Sequence, residues 1–134
     1  LRDGRAMDAW KRMIRAQGGD PDATLPVAKE SQVITAAADG VLVELDALAV
    51  GVAAWRLGAG RARRADVVQA GAGVELHVKP GAVVRAGQPI MTLFTDTPDR
   101  FARAQEALTD AVTITADGSA KAGGPVVLER ITAS

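Results

Sequence analysis

The sequence lacks several residue types and patterns whose absence restricts what the protein can do. It contains no cysteine, which excludes a disulfide framework, a thiolate metal site and a cysteine nucleophile. Its 16 basic and 16 acidic residues give no net charge, so the overall field does not favour a nucleic acid or an anionic membrane as partner. No apolar run approaches the roughly 20 residues of a membrane span, and no signal peptide is visible. We therefore expect a cytoplasmic protein.

The length of 134 residues is sufficient for one domain that buries about two thirds of its unfolded surface. The sequence begins at Leu1 without an initiator methionine, inside a pattern typical of a helix start. We therefore expect it to be a segment of a longer protein.

Apolar periodicity predicts three helices, each preceded by a capping residue. Asp3, Asp46 and Thr97 are the predicted N-caps, and Pro98 takes the first position of the third helix. Glycine pairs end the first two helices, because glycine adopts the positive φ of a C-terminal cap. The predicted spans and apolar faces are residues 3–17 with Ala6, Trp10, Met13 and Ile14, residues 46–58 ending at Gly58 and Gly60, and the third helix with Phe101, Ala104, Leu108 and Ala111.

Alternating apolar and β-branched residues predict six strands. They cover residues 31–36, 40–46, 73–78, 88–95, 111–116 and 125–132. The segment 20–25 is predicted as a linker, 61–71 as a polar crossing and 79–87 as a turn. Together these elements predict an α+β fold, one domain preceded by a helix.

The stretch Lys79–Leu93, "KPGAVVRAGQPIMTL", is typical of the swinging-arm domains that carry biotin or lipoate. Such a domain places its modified lysine at a tight hairpin a few positions beyond the G-Q-P strand. The corresponding region, Ile90–Arg100, contains no lysine, and Lys79 precedes the turn. The pattern therefore predicts a carrier-like scaffold without an attached cofactor.

The stretch Arg56–Asp66, "RLGAGRARRAD", is a second candidate, since glycine amides and guanidinium groups can hold a phosphate. It follows a helix C-terminus, where the helix dipole opposes an anion. We therefore favour a glycine cap followed by a solvated basic turn. A salt-bridge or anion-binding role for Arg61, Arg63 or Arg64 remains open.

The other residues that carry chemistry do not assemble into a site. His77 is the only histidine and is expected at the surface, without a cooperating carboxylate or serine. Glu44 and Asp46 would share one strand face, but Asp46 is better explained as a helix cap. Trp10 and Trp55 are interpreted as core anchors. We expect no catalytic residue, no cofactor-binding residue and no metal site in this chain.

Three stretches, in their order, resemble the C-terminal part of the pyrimidine-nucleoside phosphorylase family, which includes the thymidine phosphorylases. They are "GRAMDAWKRMIRAQGGD" (4–20), "GVLVELDALAVGVAAWRLGAGRARRAD" (40–66) and "VVQAGAGVELHVKPGAVVRAGQPIMTL" (67–93). The resemblance covers about residues 3–131. It implies an α/β hammerhead with barrel-sandwich-like strands, distinguished from the carrier domains by the insertion 46–73.

The resemblance also implies a pentosyltransferase that converts thymidine and phosphate into thymine and 2-deoxyribose 1-phosphate. The family's phosphate loop, base-binding residues and dimer helices have no matching positions here, so it implies a structural lobe that is inactive alone. Residues 1–25 would belong to the preceding α/β lobe, and 26–134 would form the C-terminal domain. The implied partner is the remainder of the same homodimeric enzyme. An alternative of another class is a non-enzymatic barrel-sandwich carrier or docking module, modifiable at Lys79.

Overall fold

The computed structural model describes residues 2–119 and 129–131. In this part of the chain there are three α-helices, one π-helical turn and six strands. The helices are α1 (Arg5–Ala16), α2 (Ala47–Ala54) and α3 (Arg100–Ala107), and the π-turn (Trp55–Ala59) continues α2. The strands are β1 (Glu30–Thr35), β2 (Gly40–Leu45), β3 (Gly73–Leu76), β4 (Val83–Val84), β5 (Pro89–Thr95) and β6 (Val112–Thr115).

The strands form two antiparallel sheets of three strands each, in the orders β1-β5-β3 and β4-β2-β6. In the first sheet, Glu30 of β1 lies opposite Thr95 of β5, and Gly73 of β3 lies opposite Phe94. The odd-numbered strands form one sheet and the even-numbered strands form the other, so successive strands of the sequence alternate between the two sheets. Helices combined with antiparallel sheets confirm the predicted α+β class.

One hydrophobic core joins both sheets to α2, the π-turn and α3. The central strand β5 is almost continuously buried from Ile90 to Leu93, which is typical of a strand covered on both faces. Leu42 of β2, Leu57 of the π-turn and Ala104 of α3 are fully buried in the same cluster. Each large apolar side chain buried in this way contributes roughly 1.5–3 kcal/mol.

The helix ends test the predicted caps. Asp46 is confirmed, because its Oδ1 accepts hydrogen bonds from Leu48 N at 2.8 Å and Ala49 N at 3.1 Å. The glycine end of α1 is also confirmed: Gly18 has a φ of 80°, and Gly19 N donates to Ile14 O at 3.0 Å.

Asp3 and Thr97 are wrong as N-caps. Gly4, with a φ of 79°, precedes α1, and Asp3 lies one position earlier, where its Oδ1 accepts from Arg5 N at 3.3 Å and its Oδ2 pairs with the Arg5 side chain at 2.6 Å. Asp99 precedes α3, because the chain first closes a turn in which Arg100 N donates to Thr97 O at 3.0 Å. That turn leaves the Thr97 side chain free to contact another part of the molecule.

Five of the six predicted strands are present, with β3 ending two residues early, at Leu76. The short β4 was missed, because its two valines lie inside the predicted turn and pair with Gly40 and Val41 of β2. Of the predicted strand 125–132, the structure describes only residues 129–131, and these are not in a strand.

Helix α1 lies outside the core, and none of its residues is buried. Its apolar side chains are about half exposed, with values of 55% for Met7, 44% for Trp10 and 48% for Met13. The interpretation of Trp10 as a core anchor is therefore wrong. The segment after α1 returns along the helix, because Asp22 pairs with Lys11 at 2.8 Å and with Arg15 at 3.3 Å.

Candidate functional site

A cleft with a volume of about 180 Å³ opens where the π-turn meets α3 and the crossing segment. We call it the arginine cleft, because three guanidinium groups line it. The lining residues used below are Trp55, Arg56, Gly60, Asp66, Arg100 and Arg103. Trp55 is 41% exposed at this cleft, so its interpretation as a core anchor is also wrong.

Two glycines shape the cleft. Gly58 has a φ of 117°, a conformation that favours glycine, and this confirms its predicted role in ending the second helix. A Cβ at Gly58 would lie 2.8 Å from Nη1 of Arg100. Gly60 has an ordinary extended backbone, so it does not act as the predicted positive-φ cap. Its role is steric, because a Cβ there would lie 2.6 Å from Cδ1 of Trp55.

Arg56 attaches the π-turn to α3. Its Nη1 donates to the backbone carbonyl of Arg103 at 2.6 Å and lies 3.5 Å from Oε2 of Glu106. The Arg56 side chain is 28% exposed, whereas that of Glu106 is 70% exposed, so solvent weakens the ion pair. The carbonyl bond, at the shorter distance, therefore contributes more to the position of the Arg56 guanidinium.

A network that we call the Gln69 clip lies beneath the cleft. Gln69 Nε2 donates to Thr97 Oγ1 at 2.8 Å, and Gln69 Oε1 accepts from Asp96 N at 2.8 Å. Gln69 N donates to Gly58 O at 2.9 Å, and the fully buried Thr95 hydroxyl donates to Leu57 O at 2.7 Å. These bonds join the crossing, the π-turn and the end of β5.

Arg61, Arg63 and Arg64 lie on the exposed turn beside the cleft. Asp66 shapes that turn, because its Oδ2 accepts from Ala62 N at 3.1 Å and Arg63 N at 2.8 Å. None of the three arginines forms an ion pair with a carboxylate in the part of the chain that the structure describes. Their exposure agrees with the predicted solvated basic turn, and a salt-bridge or anion-binding role for them stays a prediction.

The region compared with carrier domains ends differently from a carrier hairpin. After Gln88 the chain forms the buried strand β5 and then enters α3, so no exposed hairpin tip follows the strand. Lys79 is exposed in the loop before β4, where its carbonyl accepts from Ala82 N at 3.0 Å. This geometry gives the carrier alternative no support.

The remaining candidates do not come together. His77 is exposed, as predicted, and its Nε2 lies 2.7 Å from Thr92 Oγ1. A register shift between Leu42 and Glu44 interrupts β2, and the Asp46 carboxylate caps α2, so the two acidic residues do not act as a pair. Within residues 2–119 and 129–131, no group of three His, Asp or Glu residues has the arrangement needed to hold a metal ion.

Sequence reasoning missed the convergence at the arginine cleft. Arg56 lies in the stretch already singled out, but Arg100 and Arg103 follow more than 40 positions later. Their spacing of three on a predicted helix is the one available signal, because residues three apart share a helix face. It does not reveal which element that face meets.

The comparison with protein families decides the classification. The model of the pyrimidine nucleoside phosphorylase C-terminal domain matches residues 41–115, from β2 to β6. The chain belongs to this family. The resemblance predicted from the three sequence stretches is thereby confirmed.

Curated relatives agree with the family match. The thymidine phosphorylase of Mycobacterium tuberculosis is 51% identical over 108 residues, which are 81% of this chain and 25% of that protein. A pyrimidine-nucleoside phosphorylase of Staphylococcus epidermidis is 36% identical over 104 residues, covering 74% and 24%. The human thymidine phosphorylase is 32% identical over 128 residues, covering 85% and 27%. The chain thus spans about a quarter of the length of these relatives.

No helix in the described ranges combines the length and the apolar character that crossing a membrane would need.

Proposed function

We propose that this chain is the C-terminal domain of an enzyme that cleaves thymidine, or a related pyrimidine nucleoside, with inorganic phosphate. The products are the free base and 2-deoxyribose 1-phosphate. The observation that carries the proposal is the 51% identity to a thymidine phosphorylase over most of this chain. The family match over residues 41–115 supports it independently.

Within that enzyme, the chain acts as a structural lobe and supplies no catalytic residue. The described clusters support this role: His77 contacts a threonine, Asp46 caps a helix and Asp66 shapes a turn. None of these groups faces a second group suited to nucleophilic or acid–base work. The chemistry would be performed by the part of the enzyme outside this chain.

The two sheets form the α/β hammerhead of this proposal. In support, the strand that follows the G-Q-P turn, β5, forms the centre of one of two antiparallel sheets that share a core. The segment 46–73, which the resemblance implies as the hammerhead insertion, contains α2, the π-turn and the crossing. Of these elements, α2 and the π-turn pack on the shared core.

Residues 1–25 belong to the preceding α/β lobe. Helix α1 buries no residue in this chain, although its apolar side chains Met7, Trp10 and Met13 lie on its surface. An amphipathic helix of this kind is stabilised mainly by burial of its apolar face. The proposed occupant of that face is the remainder of the same enzyme.

The test is thymidine phosphorolysis, measured as thymine release with phosphate present. We expect turnover by the full-length protein that contains this sequence and none by the 134-residue chain. Turnover by the chain alone would overturn the structural-lobe role. If the full-length protein cleaved neither thymidine nor uridine, the proposed activity would be wrong.

A further inference from the structure

We propose that the arginine cleft binds a tetrahedral oxyanion of the phosphate class. The inference concerns only residues of this chain, so it does not depend on the proposed phosphorylase activity. It gives a role to the "RLGAG" stretch and to α3, which the structural-lobe function does not require.

The charges in the cleft suit a divalent anion. Arg56 extends from the π-turn, and Arg100 and Arg103 extend from one face of α3. Asp66 is the one carboxylate among the lining residues, and two backbone N–H groups already bind it. Three guanidinium groups and one carboxylate leave an excess of two positive charges.

Two of the three arginines are available to a ligand. In the ranges that the structure covers, neither Arg100 nor Arg103 forms an ion pair with a carboxylate. Arg56 lies near the exposed Glu106 at 3.5 Å, a distance at which solvent screens the pair. Arg100 and Arg103 are therefore not neutralised by an ion pair among the described residues, and the ion pair of Arg56 is weak.

One of the three guanidinium groups, that of Arg56, is held in place by the backbone before a ligand arrives. Nη1 of Arg100 occupies the space that a side chain at Gly58 would fill, and the Trp55 ring occupies the corresponding space at Gly60. Arg56 is held by the Arg103 carbonyl. A guanidinium fixed in this way loses less conformational freedom on binding, which favours affinity.

The size of the cleft selects the class of ligand. Its volume of about 180 Å³ lies below the roughly 300–1,000 Å³ of pockets that enclose drug-sized molecules. The cleft is therefore of a size that suits a phosphate group better than a fully enclosed nucleoside. A carboxylate accepts a bidentate pair from a single guanidinium, but a phosphate offers oxygens to several guanidinium groups at once.

The decisive measurement is an NMR titration of the ¹⁵N-labelled chain with inorganic phosphate at constant ionic strength. We expect saturable shifts of the Trp55 indole N–H and of the Nε–H groups of Arg56, Arg100 and Arg103. The Trp10 indole on α1 is an internal control and should not shift. The absence of saturable shifts at Trp55, or equal shifts with chloride, would overturn the proposal. Acetate binding as tightly as phosphate would exclude the tetrahedral class.

Single substitutions identify the residues responsible. Arg100→Gln and Arg103→Gln should each weaken phosphate binding about tenfold, which corresponds to the loss of one charge-assisted hydrogen bond. Arg85→Gln, which removes an arginine from the β4–β5 turn, is the matched control and should leave the affinity unchanged. Arg103 is exposed, so its variant tests the site even if Arg100→Gln fails to fold. Unchanged affinity in a folded Arg103→Gln variant would contradict the proposal.

Failure of this proposal can be distinguished from failure of the proposed function. The phosphate titration uses the 134-residue chain and reads the cleft directly, whereas phosphorolysis is measured on the full-length protein. If phosphate does not bind at the cleft, the prediction of phosphorolysis by the full-length protein is unaffected. An inactive full-length protein leaves the titration result unaffected.

Discussion

At the residue scale, three glycines differ in whether the structure needs a glycine at their position, and why. Gly58 supplies a φ of 117°, which side chains rarely adopt. Gly60 has an ordinary backbone but leaves space for the Trp55 ring. Gly51 lies exposed within α2 and meets nothing within 4 Å where a Cβ would be placed.

These differences predict three distinct effects of substitution by alanine on the free energy of unfolding. Gly58→Ala should lower it by about 1–3 kcal/mol, because the new residue keeps a strained backbone and displaces Arg100. Gly60→Ala should lower it by less, since the half-exposed ring of Trp55 can move outward. Gly51→Ala should raise it by about 0.5–1 kcal/mol, because alanine favours a helix interior. Urea unfolding of the three variants checks the order, and a loss of stability in Gly51→Ala would refute the argument.

Local sequence patterns were sufficient to predict the structural roles of some residues. Asp46 was predicted as a cap and Gly58 as a helix end because their roles depend on a few neighbouring residues. The role of Gly60 was not predictable, because it depends on where the ring of Trp55 lies in three dimensions. The arginine cleft was missed for the same reason, since its cationic groups come from two elements far apart in sequence.

A second residue-scale prediction concerns Asp22. The hydrogen bond from Lys11, followed by the charge of Lys11, holds the pKa of the Asp22 carboxyl below its ordinary value. A lowered folded-state pKa means that this contact stabilises the attachment of the linker to α1 above about pH 4. The contribution is lost as the pH falls through the folded-state pKa.

An NMR titration of the Asp22 carboxyl carbon measures that pKa directly. Lys11→Gln should raise it toward the ordinary value, whereas Arg12→Gln on the same helix should have little effect. Because Asp22 is exposed, added salt should also raise the pKa. An unchanged pKa in Lys11→Gln would show that the contact does not persist in solution.

At the element scale, the Gln69 clip explains how a π-turn, an irregular crossing and a strand end keep a fixed arrangement. The Thr95 hydroxyl is fully buried and donates to Leu57 O at 2.7 Å. Thr115 on β6 provides a contrast, because its buried Oγ1 makes no hydrogen bond of ordinary geometry among the described residues and has only the smallest of several effects on the lowered pKa of Asp117. The two threonines therefore differ in the hydrogen bonds that their hydroxyl groups make.

Replacement of each threonine by valine, which has nearly the same shape, measures the contribution of the hydroxyl group to the free energy of unfolding. Thr95→Val should cost about 1–3 kcal/mol of unfolding free energy, because it leaves buried polar partners unsatisfied. Thr115→Val should be neutral or stabilising, because it removes a buried group without a hydrogen bond of ordinary geometry. Thermal unfolding of both variants gives the comparison. A larger loss for Thr115→Val would contradict the hydrogen-bond assignment.

The bounds of the helices and strands show which of them local sequence patterns could predict. Strands β1, β2 and β5 were predicted within one residue at each end, because alternation and flanking turn residues agree over six or seven positions. The two residues of β4 are too few to give a period, and their pairing with β2 is a tertiary effect. The start of α3 was misplaced because the Thr97 side chain bonds to Gln69 instead of capping the helix.

At the scale of the whole molecule, the core and α1 are energetically separate. Both sheets, α2 and α3 share one buried cluster, whereas α1 contributes no buried residue. The ion pairs that attach the following segment to α1 are those of Asp22, and both partners of each pair lie within the first 22 residues. The stability of the domain is therefore not expected to depend on this helix, and the surface proposed to cover the helix is the remainder of the same enzyme.

Deletion of residues 1–22 tests this separation in full. The shortened chain should unfold at the same urea midpoint as the 134-residue chain, because no core contact is lost.

In the full-length protein, Trp10→Ala should instead lower stability by about 3 kcal/mol or more, the usual cost of removing a buried tryptophan. Trp10→Ala in the 134-residue chain is the matched control and should change little, since the ring is already 44% exposed. Equal effects of Trp10→Ala in the two proteins would show that α1 does not pack on the preceding lobe, and a lower midpoint after the deletion would show that α1 contributes to this domain.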